Sequence, residues 1–430
     1  MIKLSQLEYF ISVPLGLATI IAVLHAEGHD IHVIDFDALR DRDEQQTLRT
    51  YGKTPDIVLI TAMITNYTRI VRLVNSIKSV WPDTTVIIGG SLPATAPKKV
   101  LENIKADIFV VGEGDEVIKD CINAFTHGDS FEDIAGIIIR RNSSLIATPP
   151  ARIPDISRTP RPLYEAFDMT QYLSFLNKTG RGFELYASKG CPFSCAYCYR
   201  IAGNNVRYRR VENVISEIEF IRKRYGINRF SFEDDCFALN KKWLVAFCEK
   251  AEKIKINFRF QASVNNLEIE LLDIMVKAGL YGVSMGIESA SPDILKELNK
   301  KINLQKAERL IAWLRKNNIQ YNATFILGSP GEDAASVALT KNFLIKNGFT
   351  NNFQLFYLTP YPGTRMYEQA VARGLIRDEL QYIEELKLLD EITINLTRHS
   401  DAVLKNWREE IIREVATSSG YSGVHWKLNQ

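Results

Sequence analysis

Residues 182–372 alternate a strand pattern with a helix pattern six times, and this alternation limits the possible folds more than any other feature. Short apolar runs bounded by turn residues predict strands near 184–188, 229–233, 257–262, 281–287, 322–327 and 353–359. Between them, apolar residues recur at helical spacing, as at Val211, Val214 and Ile218. Six such units predict a partial (β/α)6 TIM-type barrel over 181–372, with its chemistry at the carboxyl ends of the strands.

The N-terminal part of the chain predicts a second α/β domain, over residues 1–140. Apolar strands at 32–35, 56–61, 85–90 and 107–112 alternate with helices, which is typical of a doubly wound parallel sheet. A hairpin and proline-rich linker are predicted over 141–180, and a helical tail over 373–430. The apolar run at 9–24 is predicted to be a buried helix, since it is shorter than the ~20 residues of a membrane span.

The charge balance and the scattered cysteines limit the partners and the compartment. With 53 basic and 51 acidic residues, the net charge of +2 argues against a nucleic-acid or anionic-membrane partner. Cys121, Cys236 and Cys248 are widely spaced, which favours a reducing compartment over a disulfide framework. The sequence therefore predicts a cytoplasmic protein without a membrane span.

Three further cysteines, Cys191, Cys195 and Cys198, follow the first predicted barrel strand in a C-x3-C-x2-C spacing. Three thiolates on one loop can bind three irons of a 4Fe–4S cluster and leave the fourth iron open, whereas electron-transfer clusters commonly use four cysteines. A structural zinc site needs a fourth ligand, and no histidine lies between residues 128 and 398. The spacing therefore predicts a cluster with an open iron.

The segment 190–199, GCPFSCAYCY, resembles the cluster loop of the radical S-adenosylmethionine (radical SAM) enzymes. The resemblance implies that S-adenosylmethionine binds the open iron and that one electron cleaves it to a 5′-deoxyadenosyl radical. It also implies a flavodoxin- or ferredoxin-type reductant and a small-molecule or peptide substrate.

More distant strings are similar to those of the cobalamin-binding radical SAM proteins, which include many methyltransferases. They lie at 207–214, 234–235, 286–289, 328–332 and 360–364, and in the N-terminal domain at 14–17, 28–35, 55–58, 89–90 and 112–116. The resemblance implies a cobalamin-binding-like N-terminal domain. Two departures leave cobalamin binding open: only about thirteen residues precede Pro14, and a D-x-H-x-x-G string is absent. The alternative is a sheet that only supports the barrel or binds substrate.

Several residues at predicted strand ends are candidate cofactor contacts. The carboxylates of Glu233 and Asp234 are suited to accept hydrogen bonds from an ammonium or from ribose hydroxyls, although a helix-capping turn is the alternative. The family resemblance implies that Tyr197 packs near the adenine, that Glu288 and Ser289 contact the ribose or methionine portion, and that the regions of Gly328 and Leu358 border the adenine.

Cys236 follows the second predicted strand and is a candidate hydrogen-atom donor, the alternative being a small buried side chain. The functional hypothesis is hydrogen abstraction from an unactivated carbon followed by cobalamin-dependent methyl transfer. Two alternatives stay open: an epimerase or cyclase without methyl transfer, and a non-enzymatic iron–sulfur protein.

Overall fold

The structure is a computed structural model, and it describes residues 2–3, 12–36 and 43–418. The chain forms two compact units. The first contains the described residues up to Gly180 with Tyr199–Ala202 and Ile376–Leu386, and the second contains Arg181–Cys198, Gly203–Leu375 and the described residues from Lys387 onward. In the described part of the chain, no helix has the length and apolar character needed to cross a bilayer.

The first unit is built on a seven-stranded sheet in the order β2-β1-β3-β4-β5-β6-β7. Its strands are β1 (Ile2–Lys3), β2 (Ile34–Asp35), β3 (Ile57–Ala62), β4 (Thr85–Gly90), β5 (Ile108–Val110), β6 (Ile137–Arg141) and β7 (Ser144–Ala147). Strands β1 to β5 are parallel, and β6 and β7 are antiparallel. The predicted hairpin is present as β6 and β7, and it extends this sheet.

The described residues of the first unit before residue 180 form seven α-helices: α1 (Leu15–Ala26), α2 (Glu44–Thr50), α3 (Tyr67–Val80), α4 (Ser91–Thr95), α5 (Lys98–Glu102), α6 (Gly114–His127) and α7 (Met169–Thr179). Helices α1 and α6 pack against each other, and Leu24 and Ile122 share one apolar cluster with the sheet residue Ile87. The described part of the apolar run at 9–24 is therefore helical from Leu15, while residues 9–11 lie outside the described residues.

The order β2-β1-β3-β4-β5 is that of a flavodoxin-like doubly wound sheet, in which ligands bind outside the carboxyl ends of the strands. At this edge, β4 ends at Gly90, whose φ is +92°. A Cβ at Gly90 would overlap the backbone oxygen of Ala62 and lie 2.8 Å from its nitrogen. Glycine is therefore required where the ends of β3 and β4 meet.

The second unit contains a six-stranded, all-parallel sheet in the order β8-β11-β12-β13-β14-β15. Its strands are β8 (Phe183–Leu185), β11 (Arg229–Phe232), β12 (Asn257–Ala262), β13 (Leu280–Glu288), β14 (Gln320–Leu327) and β15 (Phe353–Tyr357), and two short strands, β9 (Ser188–Lys189) and β10 (Arg207–Tyr208), form a separate ribbon. The strands are neighbours in chain order, as in a barrel and unlike the reversed order of a doubly wound sheet.

Helices follow the strands of the second unit and cover one face of its sheet. They are α8 (Val211–Tyr225), α9 (Lys241–Ile254), α10 (Ile269–Lys277), α11 (Pro292–Glu297), α12 (Leu304–Lys316), α13 (Ala334–Lys346), α14 (Arg365–Ala372) and α16 (Asp401–Ser418); α15 (Glu379–Glu384) packs in the first unit. Phe247 of α9 makes edge-on contacts with Phe232 and Phe258 of the sheet. Burying each such ring contributes about 2–3 kcal/mol.

We expect Gly90→Ala to lower the unfolding free energy by about 3 kcal/mol, because both the positive φ and the overlap with Ala62 oppose a side chain. Gly128→Ala is the matched control, since Gly128 has φ +71° but no atom within 4 Å of an added Cβ. It should cost about 1 kcal/mol. Urea unfolding followed by circular dichroism measures both, and equal losses would contradict a close approach at Gly90.

Candidate active site

The three predicted cluster cysteines lie on the loop that follows β8 and β9, at the carboxyl end of the first strand of the parallel sheet. Residues 190–198, here called the cluster loop, form turns and irregular structure. Gly190 opens the loop with φ +95°, and the Cys191 amide donates to the Gly203 carbonyl at 3.1 Å. The sequence therefore places the thiols where barrel enzymes carry their reacting groups.

The cluster-loop thiols influence one another electrostatically. Burial raises the pKa of Cys191, and the neighbouring charges of Asp235 and Cys195 raise it further. The surrounding protein also removes solvation from Cys198, whose side chain remains exposed, and with the charges of Cys195 and Cys191 this raises its pKa to about 11. The raised pKa values of Cys191 and Cys198 suit a cationic centre that stabilises their thiolates.

Among the described residues, no group of three His, Cys, Asp or Glu side chains is arranged to hold a single metal ion. The sulfurs around one zinc ion lie ~4 Å apart, because each Zn–S bond is ~2.3 Å. Cysteines of a 4Fe–4S cube bind different irons and are more widely separated. The two kinds of centre therefore place different demands on the distances between the cysteine thiols.

A buried carboxylate fixes the strand that leads into the cluster loop. Asp234 accepts hydrogen bonds from the Ala187 amide (3.0 Å) and from the amide and hydroxyl of Ser188, the latter at 2.5 Å. Burial raises the pKa of Asp234 to about 7, although these hydrogen bonds act in the opposite direction. Next to it, the pKa of Asp235 is raised by burial and lowered by a hydrogen bond from the Gly190 backbone.

Glu288, at the end of β13, joins the strand to the cluster loop. It is buried, follows a β-bulge after Gly286, and has φ +70°, which is unusual for a side chain of this size. Its Oε1 accepts hydrogen bonds from the Tyr197 hydroxyl (2.8 Å) and from Lys300 Nζ (3.2 Å). Strained backbone held by several partners is common at functional sites.

The ammonium of Lys300 is the cation of this cluster of charges. Burial alone would lower the pKa of Lys300, but the negative charges of Glu288 and Cys195 outweigh it and raise the pKa. A Cβ at Gly286 would overlap Glu288 Oε1 and lie 3.1 Å from Lys300 Nζ. Glycine at position 286 therefore leaves the room that the Glu288–Lys300 ion pair occupies.

The loop after β14 holds a second buried carboxylate. Glu332 Oε2 accepts hydrogen bonds from the amides of Gly328 (2.5 Å) and Ser329 (3.1 Å), and burial raises the pKa of Glu332 to about 7. In the described structure, Glu332 Oε1 and Ser329 Oγ are buried without a hydrogen-bond partner. Unpaired buried polar atoms favour a water or ligand beside this loop.

Comparison with known proteins decides the family. The radical SAM superfamily model matches residues 185–344, and the B12 binding domain model matches residues 9–122. An uncharacterized methyltransferase of Pyrococcus horikoshii is 30% identical over 371 residues, covering 84% of this chain and 79% of the relative. The chain belongs to the radical SAM superfamily.

This radical SAM enzyme is also similar to the anaerobic magnesium-protoporphyrin IX monomethyl ester cyclase of Rubrivivax gelatinosus, with 25% identity over 92% of the chain and 73% of the relative. Among solved structures it is similar to TsrM, a radical SAM methyltransferase from Kitasatospora setae, with a TM-score of 0.75, 19% identity, and coverage of 86% and 74%. The predicted family, α/β fold class and enzyme class are confirmed.

The two faces of the radical SAM sheet differ in polarity. Helices cover the face formed by Phe230, Phe232, Phe258 and Phe260, whereas polar side chains occupy the opposite face. These are Glu184, Ser231, Arg259, Gln261, Ser284, Asn322, Thr324 and Gln354, which pair in register from strand to strand. Closed TIM barrels fill this face with bulky apolar residues, so the polar lining is suited to a solvated cavity.

The other predicted site residues have varied surroundings. Glu233 is exposed and accepts a hydrogen bond from Ser231 Oγ at 2.6 Å. Ser289 is fully buried, and its hydroxyl accepts a hydrogen bond from the Ser291 amide at 3.1 Å, which supports the turn before α11. The Leu358 amide donates to Leu327, one residue before Gly328. The cofactor contacts of these residues stay predictions.

Cys236, the predicted hydrogen-atom donor, is 1% exposed, and burial raises the pKa of its thiol to about 11. Its thiol is therefore protonated at neutral pH, as hydrogen-atom donation requires, but it does not lie on an open surface. The catalytic role of Cys236 stays a prediction.

Sequence reasoning missed Asn299 and Lys300, which contact the cluster loop or its partner Glu288. Both follow α11 and resemble ordinary residues at the end of a helix. It also missed that Asp235, and not only Asp234, contacts the start of the cluster loop. For Asp235, the available signal was its adjacency to the predicted site residue Asp234.

We expect Asp234→Asn to lower the guanidinium midpoint of the apo protein, because the NH2 group of asparagine would replace one of the two carboxyl oxygens that face the Ala187 and Ser188 amides. Burial raises the pKa of Asp234 from 3.8 to about 7, so between these values the native state binds more protons than the unfolded state. The stabilisation by Asp234 is therefore greatest at low pH and falls as the pH rises to about 7.

The loss of stability caused by Asp234→Asn should accordingly be larger at about pH 5 than at about pH 8. Asp273→Asn on the exposed face of α10 is the control and should be nearly neutral at both. A loss that increases with pH would contradict the raised pKa.

Proposed function

We propose that this enzyme binds a 4Fe–4S cluster through Cys191, Cys195 and Cys198, binds S-adenosylmethionine at the open iron, and methylates an unactivated carbon with cobalamin as methyl carrier. When bound, these groups supply a methyl donor and one-electron cleavage of the sulfonium bond, which releases methionine and gives a 5′-deoxyadenosyl radical that removes a substrate hydrogen. The position of three thiols at the carboxyl end of the first sheet strand, in a radical SAM chain, carries this proposal.

The surroundings of the cluster loop support a negatively charged inorganic centre. Lys300 places a partly buried ammonium close enough to affect all three thiols, and it would offset part of their negative charge once they ionise. Asp234 holds the incoming strand through two backbone amides and so limits the movement of the loop. The chain thus supplies position and charge balance at this site.

Buried hydrogen-bonding groups support a nucleotide beside the cluster loop. Glu288 offers carboxylate oxygens at the end of β13, where they could accept hydrogen bonds from ribose hydroxyls. Ser329 Oγ and Glu332 Oε1 lack partners in the described structure, and a bound molecule or its water would satisfy them. The polar face of the sheet would then receive a substrate that forms hydrogen bonds.

The carboxyl edge of the first unit supports a flat, partly apolar cofactor. Met63, directly after β3, is 45% exposed, and Gly90 ends β4 without a side chain. The B12 binding domain match includes both residues, and the structure of TsrM contains cobalamin and a 4Fe–4S cluster. We therefore assign cobalamin to this edge. The sequence has no D-x-H-x-x-G motif, so no histidine of that motif is present to bind the cobalt.

A second candidate function is ring formation or epimerisation without methyl transfer. The similarity to a magnesium-protoporphyrin cyclase favours the first, and the neutral, buried thiol of Cys236 favours the second. In either case we propose a small-molecule or peptide substrate, a flavodoxin- or ferredoxin-type reductant, no nucleic-acid partner, and a cytoplasmic location.

The test is anaerobic reconstitution followed by analysis for iron, sulfide and cobalt, and incubation with S-adenosylmethionine and dithionite. Methyl transfer predicts about four irons, four sulfides and one cobalt per chain, with 5′-deoxyadenosine and S-adenosylhomocysteine as coproducts. 5′-Deoxyadenosine without cobalt or S-adenosylhomocysteine would support the cyclase or epimerase. Failure to cleave S-adenosylmethionine would support a non-enzymatic iron–sulfur protein.

We expect Cys195→Ala to abolish the cluster absorbance and the formation of 5′-deoxyadenosine, because one iron loses its thiolate. Cys248→Ala is the matched control, since Cys248 is buried in α9 and is not one of the three cysteines of the cluster loop. It should keep the wild-type iron and sulfide content. A full cluster in Cys195→Ala would exclude this thiol as a ligand.

Cys236→Ala separates the two candidate reactions. A methyltransferase should keep most of its activity, since its product forms without a thiol hydrogen donor. An epimerase should make 5′-deoxyadenosine but stop turning over cleanly, because the substrate radical is no longer quenched. The measurement is the ratio of product to 5′-deoxyadenosine over several turnovers.

A further inference from the structure

The turn between α11 and α12, residues 298–300, contacts the cluster loop directly and is here called the brace turn. Asn299 Nδ2 donates to the Ser194 carbonyl oxygen at 2.6 Å and lies 2.9 Å from the Ser194 hydroxyl. The Leu298 carbonyl accepts a hydrogen bond from the Ala196 amide at 2.8 Å. The brace turn thus binds the loop between Cys191 and Cys195 and again just after Cys195.

The third residue of the brace turn acts on the loop through Glu288. Lys300 Nζ lies 3.2 Å from Glu288 Oε1, which also accepts the hydrogen bond from the Tyr197 hydroxyl. Each of the residues 194, 196 and 197 is therefore connected to the brace turn, either directly or through one carboxylate. These contacts cover most of the loop between the first and third thiols.

The brace turn is itself well fixed. Leu298 is fully buried, and the Lys300 amide donates to the Leu295 carbonyl at 2.8 Å. Asn299 has φ +48°, a left-handed conformation that asparagine adopts more readily than most residues. The turn therefore presents the Asn299 amide from a rigid base at the end of α11.

The cluster loop needs such support because it has no helix or strand over residues 190–198. A helix or strand would fix the thiols through its own hydrogen-bond ladder, whereas a loop of turns depends on neighbouring elements. Small displacements matter here, since ligands must be held closely to the geometry of the metal centre.

We propose that Asn299 is a positioning residue for the cluster: its side-chain amide holds Ser194 so that the three thiols are arranged before the cluster binds. This positioning role rests on the proposed function, since it presupposes that the loop binds a cluster. The contacts of the brace turn exist without the cluster, so they can be tested in the apo protein.

The variant that isolates the side chain is Asn299→Gly, because glycine keeps the left-handed backbone and removes the amide. Asn318→Gly is the matched control. Asn318 has φ +54°, follows the end of α12 and is exposed, so the same substitution there changes the backbone entropy without affecting the cluster loop.

The first measurement is hydrogen exchange of the apo protein, read on peptides that cover 190–198. We expect Asn299→Gly to raise the exchange of the Ala196 amide about fivefold over wild type, and Asn318→Gly to leave it unchanged. Equal exchange in the two variants overturns the positioning role, whatever the iron content.

The second measurement is retention of the reconstituted cluster against an iron chelator, with electron paramagnetic resonance of the reduced cluster. We expect cluster loss about fivefold faster in Asn299→Gly than in Asn318→Gly, with an altered spectrum. Equal loss and equal spectra overturn the proposal. If wild type binds no iron and sulfide, the proposed function fails, while the exchange data still decide whether Asn299 orders the loop.

Discussion

The arrangement of the site depends on the buried carboxylate of Glu288. Its oxygens meet the Tyr197 hydroxyl of the cluster loop, the Lys300 ammonium of the brace turn, and, at 3.4 Å, the Thr324 hydroxyl of β14. A carboxylate that lost these donors inside the protein would be strongly destabilising. The positive φ of Glu288 is tolerated because the bulge after Gly286 and these partners fix it together.

Two other carboxylates extend the same principle to the backbone. Asp234 accepts hydrogen bonds from the amides before the cluster loop, and Glu332 accepts those of Gly328 and Ser329 after β14. Neither of these two loops has a hydrogen-bond ladder of its own, so a buried carboxylate accepts the hydrogen bonds of its backbone amides. The acidic residues of the predicted site therefore order loops as much as they offer contacts to a ligand.

Much of this fold could be predicted from the sequence because its strands are short apolar runs with clear turns. The predicted strand at 257–262 is the observed β12, and the predicted helix from Val211 is the observed α8. The cluster loop could also be predicted, because its three cysteines lie close together in the sequence. What could not be predicted is long-range: Asn299 reaches Ser194 across 105 residues, and Tyr197 reaches Glu288 across 91. Periodicity describes which face is buried and does not specify such polar pairs.

The raised pKa values of the cluster-loop thiols determine what must happen when a metal centre binds there. With the pKa of Cys198 at about 11, its thiol is protonated near neutral pH, so a metal centre must displace its proton on binding. Burial raises this pKa most, and the neighbouring negative charges that raise it further make the loop favour a multiply charged cation over protons once the thiolates form. Lys300 cannot replace that centre, because its ammonium is already paired with Glu288. The apo loop is therefore held in shape by the brace turn and Asp234, while Lys300 would offset part of the negative charge of its thiolates and the inorganic centre would offset the rest.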